Sequence, residues 1–150
     1  MLDVRYYEDL VEGEESCSAP RRIEEQELLE FARKYDPQYF HADPERAKGS
    51  IFGAVVASGI FTMAVWRQLD HQIAHDIAWI CGVAWDDVRF PIAVRAGDEV
   101  SARAKCLSKR VSQSKPERGV VVYLYELLNQ RGETVFTCRS TNLIERRGPA

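Results

Sequence analysis

The sequence predicts an α+β fold: a curved antiparallel sheet wrapped around one long central helix, in a single domain spanning residues 1–150. Three observations predict it. The segment Ile51–Leu69 is apolar on every side, which suits a helix enclosed in a core rather than one on a surface. From Ile77 to Ile144 the chain reads as four or five β-forming runs separated by turns. Helices set apart from an antiparallel run mark the α+β class, and a sheet curled around Ile51–Leu69 buries that helix most completely.

Each element follows from its residues. Residues 6–13 read as a short lead-in that turns at Gly13, and Glu14–Ala19 as a strand that Pro20 closes. Ile23–Tyr35 reads as a helix. Ile23, Leu28, Phe31 and Ala32 share a face, and Glu24, Glu25 and Glu27 crowd the first turn, where the helix dipole favours acids. No Ser, Thr or Asp caps its start. Pro37 disfavours helical angles at the residue before it, so this helix should stop at Tyr35 or Asp36. Asp43-Pro44 starts a short helical turn through Lys48, and Ser50 stands where an N-cap for the long helix is needed. Ile51–Leu69 would run about 28 Å, and its small residues would let other backbone approach closely.

The strands come next. They are Ile77–Cys81, Ala84–Phe90 and, after the turn at Gly97-Asp98, Glu99–Val111, where Val100, Ala102, Ala104 and Cys106 alternate with polar partners. Val120–Asn129 and Glu133–Ile144 form a hairpin about Gln130-Arg131-Gly132, with Val135, Thr137, Arg139, Thr141 and Leu143 on one face. The tail Arg146–Ala150 reads as frayed.

Composition narrows the function classes. The chain is 45% hydrophobic and 29% charged with a net charge of −3, so it lacks the basic footprint that nucleic acid requires. Its four cysteines form no CxxC and have no zinc-ligand spacing, which predicts reduced thiols and a cytoplasmic location. The N-terminal MLDVRYYEDL lacks the apolar centre of a signal peptide. Ile51–Leu69 is long enough to weigh as a membrane span, but Gly53, Ser58, Gly59, Thr62 and Arg67 interrupt it, and no membrane partner is expected. His71 and His75 lie four apart without the glutamate of an HExxH motif, so no metal site is expected. Trp66, Trp79 and Trp85 read as core or interface aromatics.

The residues that bear chemistry gather between Asp36 and Gly59. Asp36 stands at a helix end and His41 five residues on, a carboxylate and an imidazole beside the entrance of the buried helix. Taken singly, Asp36 could be a helix-stop aspartate and His41 a loop histidine. Ser58 has no base motif beside it, so it reads as a packing residue or a substrate contact rather than a nucleophile.

These residues resemble the MaoC-like dehydratases, the group of (R)-specific enoyl-CoA hydratases with a hot-dog fold. The family motif runs Asp, any residue, Asn, Pro, any residue, His. Here it reads Asp36-Pro37-Gln38-Tyr39-Phe40-His41, keeping the spacing and replacing the Asn-Pro pair. The family's helix glycine matches Gly59, preceded here by Ser58 where many members have His. Val88-Arg89-Phe90 through Gly97-Asp98-Glu99-Val100 resembles the family's strand-turn-strand signature, with Ala93 in place of a usual Pro. Tyr7-Glu8-Asp9-Leu10 through Gly13 also fits, so the likeness covers roughly residues 6–145.

The resemblance implies reversible hydration of a trans-2-enoyl-CoA thioester to a 3-hydroxyacyl-CoA. Asp36 would act as the main base for water, His41 would orient that water, and the backbone N–H of Gly59 would hold the thioester oxygen. A glycine there would leave the approach of that oxygen free of any side chain. The roles of Asp36 and His41 could be exchanged. No metal or redox cofactor is implied, CoA being part of the substrate. The acyl chain is expected along the central helix, and the protein is expected to be at least a homodimer. Two other readings of the same fold stay open: a non-catalytic acyl-thioester-binding module and an acyl-CoA thioesterase.

Overall fold

The structure is a computed structural model and describes residues 3–148. Its strands are β1 (Glu15–Cys17), β2 (Arg21–Arg22), β3 (Trp79–Arg89), β4 (Glu99–Val111), β5 (Arg118–Leu128) and β6 (Thr134–Glu145). Its helices are α1 (Glu25–Tyr35), α2 (Tyr39–Ala42), α3 (Pro44–Ala47) and α4 (Gly59–Ile73), and a 3-10 turn covers Tyr7–Asp9. All strand pairings are antiparallel, in the order β1-β4-β5-β6-β3, with β2 also on β4. The curved sheet packs its inner face on α4, which is the hot-dog architecture that the resemblance implies.

Register explains the core. Val100, Ala102, Ala104 and Cys106 of β4 point inward, as their alternation predicts. Small Ala102 and Ala104 lie opposite large Leu127 and Tyr125, so volumes complement one another across the ladder. Leu127, Tyr125 and Tyr123 then face Phe136, Cys138 and Ser140 of β6. The inner face of β6 is thus Phe136, Cys138, Ser140, Asn142 and Ile144, the opposite parity to the Val135–Leu143 set singled out in the sequence.

The central helix is shorter and more one-sided than expected. Residues 51–58 are not helical: Gly53 turns the chain at φ +70°, Ile51 is 96% exposed, and Val56 forms a bridge with Arg95. The cap is Ser58 and not Ser50; its Oγ accepts the Ile60 N–H at 3.2 Å. From there Phe61, Thr62, Val65, Trp66, Leu69 and Asp70 form the buried stripe, while Ile60, Ala64 and Gln68 face outward. His71 ends up on the helix and His75 beyond it, so the two share no face. No helix among the described residues is long and apolar enough to cross a membrane.

Other boundaries move for local reasons. The first helix starts at Glu25 with no side-chain cap, as the missing cap residue suggested. Pro20 interrupts the first edge strand without ending it, because Arg21 and Arg22 pair again with Val100 and Glu99. Residues 79–89 form one strand with three irregularities rather than two strands. Arg146 and Arg147 are tied to Glu8 and Asp9 by ion pairs, so the tail is anchored there; Pro149 and Ala150 lie outside the described residues.

Candidate active site

The site begins where α1 ends. Asp36 N–H donates to Ala32 O at 2.8 Å, Pro37 prevents another turn, and the carboxylate of Asp36 projects from the helix end. One short helix later, α2 carries His41, which is 8% exposed. His41 Nδ1 lies 2.7 Å from the carbonyl oxygen of Val56. A carbonyl can only accept, so Nδ1 carries the proton and Nε2 keeps its lone pair in the neutral ring. That Nε2 faces Asp36 Oδ2 across 3.9 Å. The gap is too long for a direct hydrogen bond and fits one water bonded to both.

Asp36 is held from two sides. Ser58 Oγ donates to its Oδ2 at 2.7 Å, and Gln38 Nε2 donates to its Oδ1 at 3.2 Å. These bonds, Ser58 first, hold the Asp36 carboxyl below the usual carboxylate range. Ser58 has no exposed surface, and its hydroxyl is committed to Asp36 and to the Ile60 N–H. Its place is therefore behind the carboxylate, which fits the packing role, one of the two readings that the sequence left open.

Gly59 is the first residue of α4, at the terminus of the helix rather than embedded in it. Among the described residues, no backbone carbonyl outside the helix takes its N–H. A helix N-terminus presents such free donors and the positive end of the macrodipole. The structure adds a packing reason for glycine. A Cβ here would meet the Phe90 ring at 3.0–3.2 Å, so glycine makes room for that ring.

Beside His41 and Gly59 lies a cavity of about 310 Å³. Phe52, Phe90, Ile92, Val94 and Val135 supply its apolar walls, and Thr62 adds a hydroxyl. A larger cavity, about 550 Å³, opens farther along α4 between Arg67, His71, Trp85, Tyr125 and Asn142; it includes none of the expected site residues. The structure thus gathers Asp36, His41, Ser58 and Gly59 in one place. Three further contributors were not singled out as site residues in the sequence: the Val56 carbonyl, the Gln38 amide and the Phe90 ring. A backbone carbonyl has no residue signature, and Gln38 stood out only as a departure from the family motif.

Known proteins resemble this chain in sequence and fold. A MaoC-like dehydratase structure from Rhodospirillum rubrum superposes with a TM-score of 0.89 at 34% identity, covering 97% of this chain and 99% of that one. YdeM, an uncharacterised protein of Bacillus subtilis, is 30% identical over 83% of this chain and 88% of its own length. The 3-hydroxyacyl-thioester dehydratase Z of Mycobacterium tuberculosis is 36% identical over a shorter match, 45% of this chain and 46% of that protein. The family profile described as MaoC like domain matches residues 10–126. The chain therefore belongs to the MaoC-like domain family, whose members include hydratases and dehydratases.

Proposed function

We propose that this protein adds water reversibly to a trans-2-enoyl-CoA thioester, giving a 3-hydroxyacyl-CoA. The supporting observation is the pairing of Asp36 Oδ2 and His41 Nε2 across 3.9 Å, next to a cavity that reaches Gly59 at the start of α4. A water held between the two groups gives its hydroxyl to C3 of the enoyl chain, and a proton returns to C2. Negative charge builds on the thioester oxygen in between. The Gly59 N–H and the helix dipole meet that charge, a donor of this kind contributing about 3 kcal/mol to the barrier.

The hydrogen bonds suggest how the proton work is divided. Asp36 is kept ionised by Ser58 and Gln38, which makes it a weak proton store and a strong acceptor for orienting water. The Nε2 lone pair of His41 is therefore left to take the proton from water. This reverses the division of roles that the resemblance first suggested. In this scheme water, imidazole and carboxylate suffice, with no metal or redox cofactor, and CoA enters only as part of the substrate.

Loss of enoyl-thioester absorbance on hydration tests the proposal. Wild type is expected to hydrate at least one enoyl-CoA, and Asp36→Asn to lose on the order of 10²–10⁴ in kcat. A pure, folded wild type that hydrates none of a chain-length series overturns it. Release of free thiol from saturated acyl-CoA would point to a thioesterase instead.

A further inference from the structure

The two cavities along α4 share no lining residue. What separates them is a line of aromatic rings. Phe90, a wall of the cavity at Gly59, has its ring centre 5.6 Å from that of Phe136. Phe136 lies 5.1 Å from Trp66. Trp66 in turn lies 5.1 Å from Trp85 and 5.0 Å from Tyr125, both walls of the larger cavity. Phe136 and Trp66 have no exposed surface and fill the space between the helix and the sheet. A chain anchored at Gly59 and following the helix meets this stack at Trp66, about 10 Å on. The rings fill the way along the helix there, so an acyl chain lying along α4 has room only up to this stack.

We propose that the site accepts a short, uncharged acyl group, and that the Phe136–Trp66 partition sets the length limit. The thioester carbonyl is placed at Gly59 by the hydratase reading, on which this inference rests; the partition itself is a property of the cavity. A volume of about 310 Å³ holds about ten groups of water size. That accommodates the reacting water, the thioester and an acyl chain of about four to six carbons.

Charge narrows the class further. No Lys, Arg, Asp or Glu lines the cavity, so a carboxylate on the acyl chain would be buried without a partner. Arg95, just beyond Val94 in the wall, is exposed and donates to the Phe52 carbonyl at 2.9 Å.

The test compares kcat/KM for crotonyl-, trans-2-hexenoyl-, trans-2-dodecenoyl- and mesaconyl-CoA. Wild type is expected to favour the first two over dodecenoyl-CoA by at least ~20-fold, and over the carboxylated mesaconyl-CoA by about 100-fold. Phe136→Leu and Phe136→Ala join the cavities and are expected to raise the dodecenoyl-to-crotonyl ratio by about tenfold. If the alanine variant fails to fold, the leucine variant, checked by circular dichroism and melting, carries the test.

Equal use of short and long chains by wild type overturns the inference, as does an unchanged ratio in a folded Phe136→Leu. A wild type that turns over none of these thioesters ends the hydratase reading alone. The partition is then read from calorimetric binding of butyryl- and dodecanoyl-CoA. Phe136→Leu must gain affinity for the longer ligand relative to wild type, and no gain sinks the partition as well.

Discussion

At the scale of single residues, Ser58 links the two halves of the site. Its Oγ donates to Asp36 and accepts from Ile60, joining the carboxylate to the first turn of α4. The Ser58 bond is the largest cause of the lowered Asp36 pKa, so its loss must raise that pKa. The shift is read on the carboxyl itself, by carbon-13 NMR titration of Asp36, because the rate also depends on neutral His41. Wild type should titrate below the usual carboxylate range, and Ser58→Ala at a higher pH. Coincident titration curves would separate Ser58 from the carboxylate. The same substitution removes an N-cap, which costs about 1 kcal/mol of stability. Asp36 and His41 were visible in the sequence because their spacing is local. The tautomer of His41 was not, since it is set by the carbonyl of Val56, fifteen positions away.

At the scale of elements, legibility followed the clarity of the period. Strand β4 runs over Glu99–Val111 as read, because small apolar residues alternate cleanly with polar ones. Strand β6 offers two defensible faces, and the buried one includes polar Ser140 and Asn142, which satisfy each other at 3.0 Å. The start of α4 was misplaced because Ile51–Ala57 is as apolar as the helix that follows; only Gly53 and Ser58 hinted at the break. One packing contact between elements is directly testable. The 3-10 turn Tyr7–Asp9 lays the Tyr7 ring over Gly119 of β5, so closely that an added Cβ would overlap it. Lys109 Nζ sits 4.5 Å from the centre of that ring and donates to the carbonyls of Tyr7 and Leu10. Gly119→Ala should displace the ring and destabilise the fold by about 1–3 kcal/mol. Each kcal/mol corresponds to roughly 2–4 °C in Tm for a chain of this size. An unchanged melting curve would show that the turn is free to move.

At the scale of the whole molecule, the sheet is unfinished on one side. Among the described residues strand β3 pairs with β6 only, so its other edge has no neighbouring strand along its 11 residues. Near Arg89 the edge is blunted by Asp86, Asp87 and a break in register. Its middle is not: Ile80 is 39%, Val83 55% and Trp85 48% exposed. An apolar open edge with no charge across its centre is what an isolated monomer avoids and what a symmetric pair covers. We therefore propose a homodimer joined edge to edge through β3, making one continuous sheet of two chains. A two-fold axis pairs residues whose numbers have a constant sum, so Val83, one position from the middle of Trp79–Arg89, lies near the axis. Val83→Lys would bring two ammonium groups together there, while its side chain in a monomer would simply face water. Sedimentation equilibrium should give wild type the mass of two chains and Val83→Lys the mass of one. Both should keep the same far-ultraviolet circular dichroism, because no residue of the core is touched. Wild type sedimenting as a single chain at micromolar concentration would remove the dimer, and the exposed centre of β3 would then need another partner to cover it.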